Sequence, residues 1–227
     1  MLANHLPPDI VLVVATEPMQ TQLLSEEEEA CVANAVEKRQ REFRSGRHAA
    51  KAALLQLGLE EDINLLPVAG GKRPQWPVGY VGSITHTAGF CAAAAASQAH
   101  YRAIGIDVEP RTPMNPNILS RICTEREQAW IAQQPDDHLK PDWGKTIFCI
   151  KETLYKVFNP IHDVFLGFQE ADVQLSPQDG SFTANIHQRE KGIECCYRGR
   201  FSVDDRYIYA STLLKRELAQ ESQRSVP

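Results

Sequence analysis

Asp107 and Glu109 stand two apart in Ile104-Gly105-Ile106-Asp107-Val108-Glu109, just before Pro110. Successive side chains of a strand point to opposite faces, so this spacing puts both acids on one face near the strand's end. Gly105 shares that face and is expected to leave space beside them. Two hard oxygen ligands with open room suit Mg²⁺, which keeps several waters and takes phosphate oxygens rather than a full protein cage. Such a short pattern is, more often than not, a solvated acid pair. The run Lys151-Glu152-Thr153-Leu154-Tyr155-Lys156 adds to it. Glu152 and Lys156 lie one helical turn apart and share a face, where an exposed pair is worth only about 0.2–0.5 kcal/mol. Phe148, Ile150, Leu154, Val157 and Phe158 make this helix apolar over much of its circumference. It therefore packs, and charges on a packed helix need partners. A cation held by Asp107 and Glu109 would partner Glu152, and Lys156 would suit a phosphate beside it.

Basic groups gather upstream. Lys38, Arg39, Arg41, Arg44, Arg47 and Lys51, with His48, face a single acid, Glu42. Arg44, Arg47 and Lys51 share one helical face, opposite the stripe Phe43, Ala50, Leu54 and Leu57. A solvated basic face is the commoner outcome; the functional reading is an anion site, where the planar fork of Arg suits phosphate. Gly70-Gly71-Lys72-Arg73-Pro74 and Gly82-Ser83-Ile84-Thr85-His86-Thr87 supply backbone N–H groups, charge, hydroxyls and an imidazole that can cradle phosphate. No G-x-S-x-G, no Gly-x₄-Gly-Lys and no G-x-G-x-x-G after a strand is present. The residues alone thus point to Mg²⁺-assisted chemistry on a phosphate ester, with the nucleophile brought by the other substrate.

The elements that must position these groups read as α+β. Residues 10–14 form the first strand. Ser25-x-x-Glu28 is a capping box that starts a helix, and helical periodicity from Phe43 to Leu57 stops at Gly58. Residues 67–89, rich in Gly and Pro, read as a structured loop. Residues 90–97 read as a buried strand despite five consecutive alanines, and 101–109 as a strand. Thr124-x-x-Glu127 is a second capping box, and Asp142 caps a helix over 143–158. A β-meander follows over 164–168, 171–175, 182–187, 193–203 and 207–214, with Asp179-Gly180 as a hairpin turn. The polar tail after Lys215 is expected to fray. Helices and strands occur on both sides of a changeover near residue 105, dividing the chain into 1–104 and 105–227.

Composition excludes several classes. The 227 residues are 43% hydrophobic and 23% charged, those of an ordinary globular protein. A net charge of −5 is a poor footprint for bulk nucleic-acid binding. Neither a signal peptide nor an apolar run of about 18 residues is visible, so a cytoplasmic protein without stable membrane insertion is expected. The six cysteines show no C-x-x-C spacing and read as reduced, mostly buried thiols.

The two signatures, 43 positions apart between Glu109 and Glu152, resemble those of 4′-phosphopantetheinyl transferases of the surfactin-synthetase-activating and enterobactin-synthetase component D type. Phe43-Arg44-Ser45-Gly46-Arg47-His48-Ala49-Ala50, Lys72-Arg73-Pro74-Gln75-Trp76-Pro77 and Gly82-Ser83-Ile84-Thr85-His86 resemble that group's upstream motifs in the same order. The resemblance implies two similar α/β halves related by pseudo-twofold symmetry, with the site between them: coenzyme A motifs in the first, metal and catalytic motifs in the second. It implies transfer of the phosphopantetheine arm of coenzyme A to a serine of an apo acyl, peptidyl or aryl carrier protein, releasing adenosine 3′,5′-bisphosphate. Asp107, Glu109 and Glu152 would hold Mg²⁺, and Glu152 would also be the base for the serine. Lys156 would steady the leaving α-phosphate. Arg47, Lys72, His86 and Thr85, with Arg39, would bind the 3′-phosphate and adenine end. The enzyme would be a monomer, and its pathway (siderophore, polyketide or fatty acid) stays open. Another Mg²⁺-dependent phosphotransfer, or a non-catalytic coenzyme A or carrier-binding module, are the competing readings.

Overall fold

A computed structural model describes residues 1–16, 22–60, 63–71, 73–135 and 141–217. The chain is α+β, built from two antiparallel sheets, each with a 20-residue helix laid on it. β1 (Val11–Thr16), β2 (Tyr80–Thr87) and β3 (Phe90–Ser97) form the first sheet, with β3 in the middle. Its helix, α2 (Glu37–Gln56), follows the short α1 (Glu26–Ala30). β4 (Tyr101–Pro110) heads the second sheet, in the order β4-β8-β7-β6-β5. Between come α3 (Pro116–Ile122), α4 (Glu125–Ala132) and α5 (Trp143–His162). The other strands are β5 (Ala171–Ser176), β6 (Ser181–Gln188), β7 (Ile193–Val203) and β8 (Tyr207–Lys215). The chain passes between sheets in the turn at 98–100, and residue 105 lies mid-way along β4.

β3 shows why the alanines make a strand. Ala92–Ala96 are all fully buried, because both faces of β3 are covered. Ala93 and Ala95 pack under α2 with Ala50, Ala53 and Leu54, while Ala92, Ala94 and Ala96 meet Ile104, Ile106 and Val108 of β4. Small side chains let those layers close. Both capping boxes form as expected, and Asp142 caps α5. The turn at Asp179-Gly180 carries a positive φ of 66° at the glycine.

Two expectations are corrected. The stretch 67–89 is not all loop, since 80–87 is β2. Its buried residues, Ser83 and Thr85, are hydroxylated, so the apolar alternation that marks a strand is absent. Residues 164–168 are not a strand either. After the left-handed Asp163 (φ 52°), they turn into a 3₁₀ helix at Phe168–Glu170, burying Leu166 in the core. α5 also runs one turn past Phe158. All six cysteines are free, but only Cys91, Cys123 and Cys149 are buried. The polar tail beyond 217 lies outside the described residues. Among the described residues no helix is long and apolar enough to cross a membrane.

Candidate active site

The two sheets meet where β2 lies along the free edge of β4. That edge would expose backbone donors, and hydroxyls from β2 take them up. Ile106 N–H donates to Ser83 Oγ at 3.1 Å, and Val108 N–H to Thr85 Oγ1 at 3.1 Å. The Thr85 hydroxyl in turn donates to Asp107 Oδ1 at 3.0 Å. α5 closes the cleft. Lys156 Nζ donates to Asp107 Oδ1 at 2.7 Å and to the Ile106 carbonyl at 2.9 Å. An ammonium has three N–H donors, so one is left for another acceptor. Asp107 Oδ2 is buried with no partner.

Gly105 does not leave the open space expected of it. The backbone of α5 fills that side: a Cβ there would run into the Thr153 carbonyl and sit 2.8 Å from Val157 Cγ2. The glycine is what lets α5 approach β4 closely enough to bring Glu152 and Lys156 to Asp107 and Glu109. Burial pushes the Glu152 carboxyl above its ordinary pKa, the charge on Asp107 adding to it and Lys156 opposing. Glu109 is pushed up the same way, by burial and by Asp107, against the pull of Lys145. Lys145 Nζ lies 3.0 Å from Glu109 Oε2. A cleft of about 180 Å³ flanks Glu152, lined by Tyr155, Phe165, Leu166 and Phe168. Among the described residues no group of three or more His, Cys, Asp or Glu side chains is arranged to hold a metal ion. As they stand, Asp107 and Glu109 are each tied to a lysine.

The basic groups divide. Arg39 Nη1 donates to His86 Nε2 at 2.6 Å, and His86 Nδ1 lies 3.5 Å from Glu42 Oε2. Arg has no acceptor, so Nε2 must accept and the imidazole proton sits on Nδ1. Burial lowers the His86 pKa, Glu42 opposing and Arg39 adding, which keeps the ring neutral near pH 7. His86 also feels Lys156 and Asp107, which joins it to the carboxylate cluster. Arg47 is 5% exposed, stacks its guanidinium 4.4 Å over the Phe43 ring, and has a buried Nε without a partner. Burial pushes its pKa down to about 10. A desolvated cation with an unused donor is a strong attractor for an anion. Arg44 and Lys51 serve otherwise: Arg44 Nη2 pairs with Glu29 at 2.7 Å and Lys51 with Glu28 at 2.8 Å. The candidate Lys72 lies outside the described residues.

Ser83, read from the sequence as a hydroxyl for phosphate, instead accepts from the β4 backbone, and sequence reasoning assigned no role to Glu42 as the imidazole's neighbour or to Lys145. Lys145 did carry a signal, because a cation in the first turn of a helix opposes the helix dipole. Comparison with known proteins decides the family. Residues 27–96 match the 4′-phosphopantetheinyl transferase N-terminal domain, and residues 103–210 the 4′-phosphopantetheinyl transferase superfamily. The chain belongs to the 4′-phosphopantetheinyl transferase family.

The resemblance read from the motifs is thereby borne out, and the family is one of enzymes. The chain is 39% identical over 170 residues to 4′-phosphopantetheinyl transferase Svp of Streptomyces mobaraensis, covering 72% of this chain and 66% of the relative. It is 40% identical over 158 residues to 4′-phosphopantetheinyl transferase Npt of Nocardia iowensis, covering 68% and 67%. Similarity extends to enterobactin synthase component D of Salmonella typhimurium, 33% over 130 residues, covering 54% and 49%. The aligned stretch thus spans about two thirds of the first two relatives and about half of the third.

Proposed function

We propose that this 4′-phosphopantetheinyl transferase moves the phosphopantetheine arm of coenzyme A onto a serine of an apo carrier protein, with Mg²⁺, as a cytoplasmic monomer. The observation that carries the reading is the junction at Asp107. Thr85 from β2 and Lys156 from α5 converge on Oδ1 and leave Oδ2 buried and unpartnered.

What supports a divalent cation is the donor set. Asp107, Glu109 and Glu152 are hard oxygen donors; the charge on Asp107 helps push up the Glu109 and Glu152 carboxyls, and Glu109 adds to the rise at Glu152, so the cluster is short of positive charge. These three would hold it, and it would neutralise pyrophosphate charge as a Lewis acid. The chain's own groups do the rest. Arg47, Arg39 and His86 bind the 3′-phosphate and adenine end, with Thr85 fixing Asp107 and Lys72 assisting. Glu152, its basicity raised by burial, takes the serine proton, directly or through a water. The serine oxygen bonds to the β-phosphorus as the bond from that phosphorus to the α-phosphate oxygen breaks. The third N–H of Lys156 meets the charge left on the α-phosphate, and adenosine 3′,5′-bisphosphate departs.

The test is the intact mass of peptidyl, aryl and acyl apo carriers incubated with this protein, coenzyme A and Mg²⁺. A gain of one phosphopantetheine arm, lost on adding EDTA, is expected. No gain on any carrier, together with no coenzyme A binding, would overturn the reading.

A further inference from the structure

Each β4 carboxylate has a lysine of its own. Lys156 on Asp107 has a role in the proposed transfer, whereas Lys145 on Glu109 has none. Its position is costly: it is the third residue of α5, where the helix dipole disfavours a cation. Its backbone N–H donates to the capping Asp142 Oδ1 at 2.7 Å, so the residue is fixed at the helix's first turn. Its ammonium lies 5.5 Å from the centre of the Phe148 ring and reaches Glu109 Oε2 at 3.0 Å, the Lys145 and Glu109 side chains being only 19% exposed. The contact joins the start of α5 to the C-terminal end of β4.

We infer that Lys145 is a positioning residue, an internal counter-ion that holds Glu109 toward the cleft in the free enzyme and must yield it to the incoming divalent cation. The inference rests on the metal reading above. Lys145 and the cation compete for one carboxylate and repel each other at short range in a half-buried cleft, where charges act strongly. Removing the ammonium while keeping an unbranched apolar side chain of similar length therefore tightens cation binding. Keeping the charge leaves it unchanged. A merely structural pair would lower stability without moving cation affinity.

The experiment is Mn²⁺ binding to the full chain, followed by electron paramagnetic resonance, for the wild type, Lys145→Met and Lys145→Arg, each with and without coenzyme A. Thermal melts check that the variants fold. Lys145→Met is expected to bind Mn²⁺ about tenfold more tightly than the wild type without coenzyme A, and Lys145→Arg within about twofold of it. Equal or weaker Mn²⁺ binding by Lys145→Met, with wild type and variant both taking up Mn²⁺ alongside coenzyme A, overturns the role of Lys145 alone. Absence of Mn²⁺ binding in all three proteins even with coenzyme A overturns the metal reading, and this inference with it.

Discussion

The two long helices are moored by the same device. In the first half, Glu28 closes a capping box; its buried carboxylate accepts from Leu65 N–H at 3.0 Å and pairs with Lys51 of α2 at 2.8 Å. In the second, Glu127 closes a capping box; its buried carboxylate accepts from Val173 N–H at 2.7 Å and pairs with Lys151 of α5 at 2.8 Å. The surroundings differ. The Lys51 side chain is 19% exposed, and hydrogen bonds from Lys51 and Leu65 outweigh burial, so Glu28 lies below its ordinary pKa. Lys151 is 2% exposed and also donates to the carbonyls of Ile122 and Phe168. Burial there outweighs the pairing, pushing Glu127 up and Lys151 down. The drier mooring belongs to the helix that carries Glu152 and Lys156. It fixes those two side chains against β4, and it is the one that cannot lose a partner.

The largest test of that difference is removal of each lysine. Lys151→Met strands a carboxylate in the core, and breaking such a pair costs about 3–5 kcal/mol. Lys51→Met also leaves a buried carboxylate, but the lysine removed is 19% exposed and Leu65 N–H still holds Glu28, so the expected cost is smaller, about 1–2 kcal/mol. Denaturant unfolding measures both, and equal losses would break the comparison. Next in size is Lys156→Met, five residues along the same helix. Its lysine faces the cleft, so the expected loss is about 10²–10³ in turnover, with stability within about 1 kcal/mol of wild type. A Lys156→Met protein that unfolds like Lys151→Met while retaining turnover would reverse the two assignments.

Much of this layout was legible because its signals are local. Both capping boxes and the acid pair of β4 are read over two to four residues, and the burial of Ala92–Ala96 follows from their composition. What escaped depends on distant partners. The basic run of α2 looks like one anion-binding face, yet Arg44 and Lys51 are spent on Glu29 and Glu28, 15 and 23 residues earlier in the chain. β2 was hidden because Ser83 and Thr85 look inward to serve the backbone of β4, which only the docking of two sheets reveals. Gly105 was rightly assigned to the face of the acids, but the space beside it belongs to α5.

Glycines at the closest approach of helix and strand sharpen the comparison further. Gly46 of α2 would place a Cβ 2.8 Å from Ile84 Cγ2, the end of a side chain that can shift. Gly105 of β4 would place one against the Thr153 carbonyl, backbone that cannot. Gly105→Ala is therefore expected to cost about 2–3 kcal/mol and to lower turnover by displacing Glu152 and Lys156, with Gly46→Ala costing about 1 kcal/mol. Equal effects at the two positions would mean that α5 is seated no more rigidly than α2.

The smallest expected effect concerns the N-terminal turn (Leu2–His5), which precedes the first sheet in sequence but packs on β7 and β8 of the second. His5 Nε2 lies 2.8 Å from Ser202 Oγ, and its Nδ1 is buried without a partner. Burial, with the N-terminal amine and Arg200 adding, lowers its pKa from 6.5 to about 4. Above pH 6.5 the ring is neutral in both folded and unfolded chains. Between about 6.5 and 4 the unfolded chain binds a proton that the folded one refuses, so stability falls as the pH drops through that window. Partial exposure discounts the effect to about 1–2 kcal/mol. His5→Gln keeps a hydrogen-bonding group near Ser202 but does not titrate. Between pH 7 and 4.5 the wild type is expected to lose about 1–2 kcal/mol more than the variant, measured by denaturant unfolding. Matching losses would detach the turn from the second sheet and return the N-terminus, in energetic terms, to the half that its sequence position suggests.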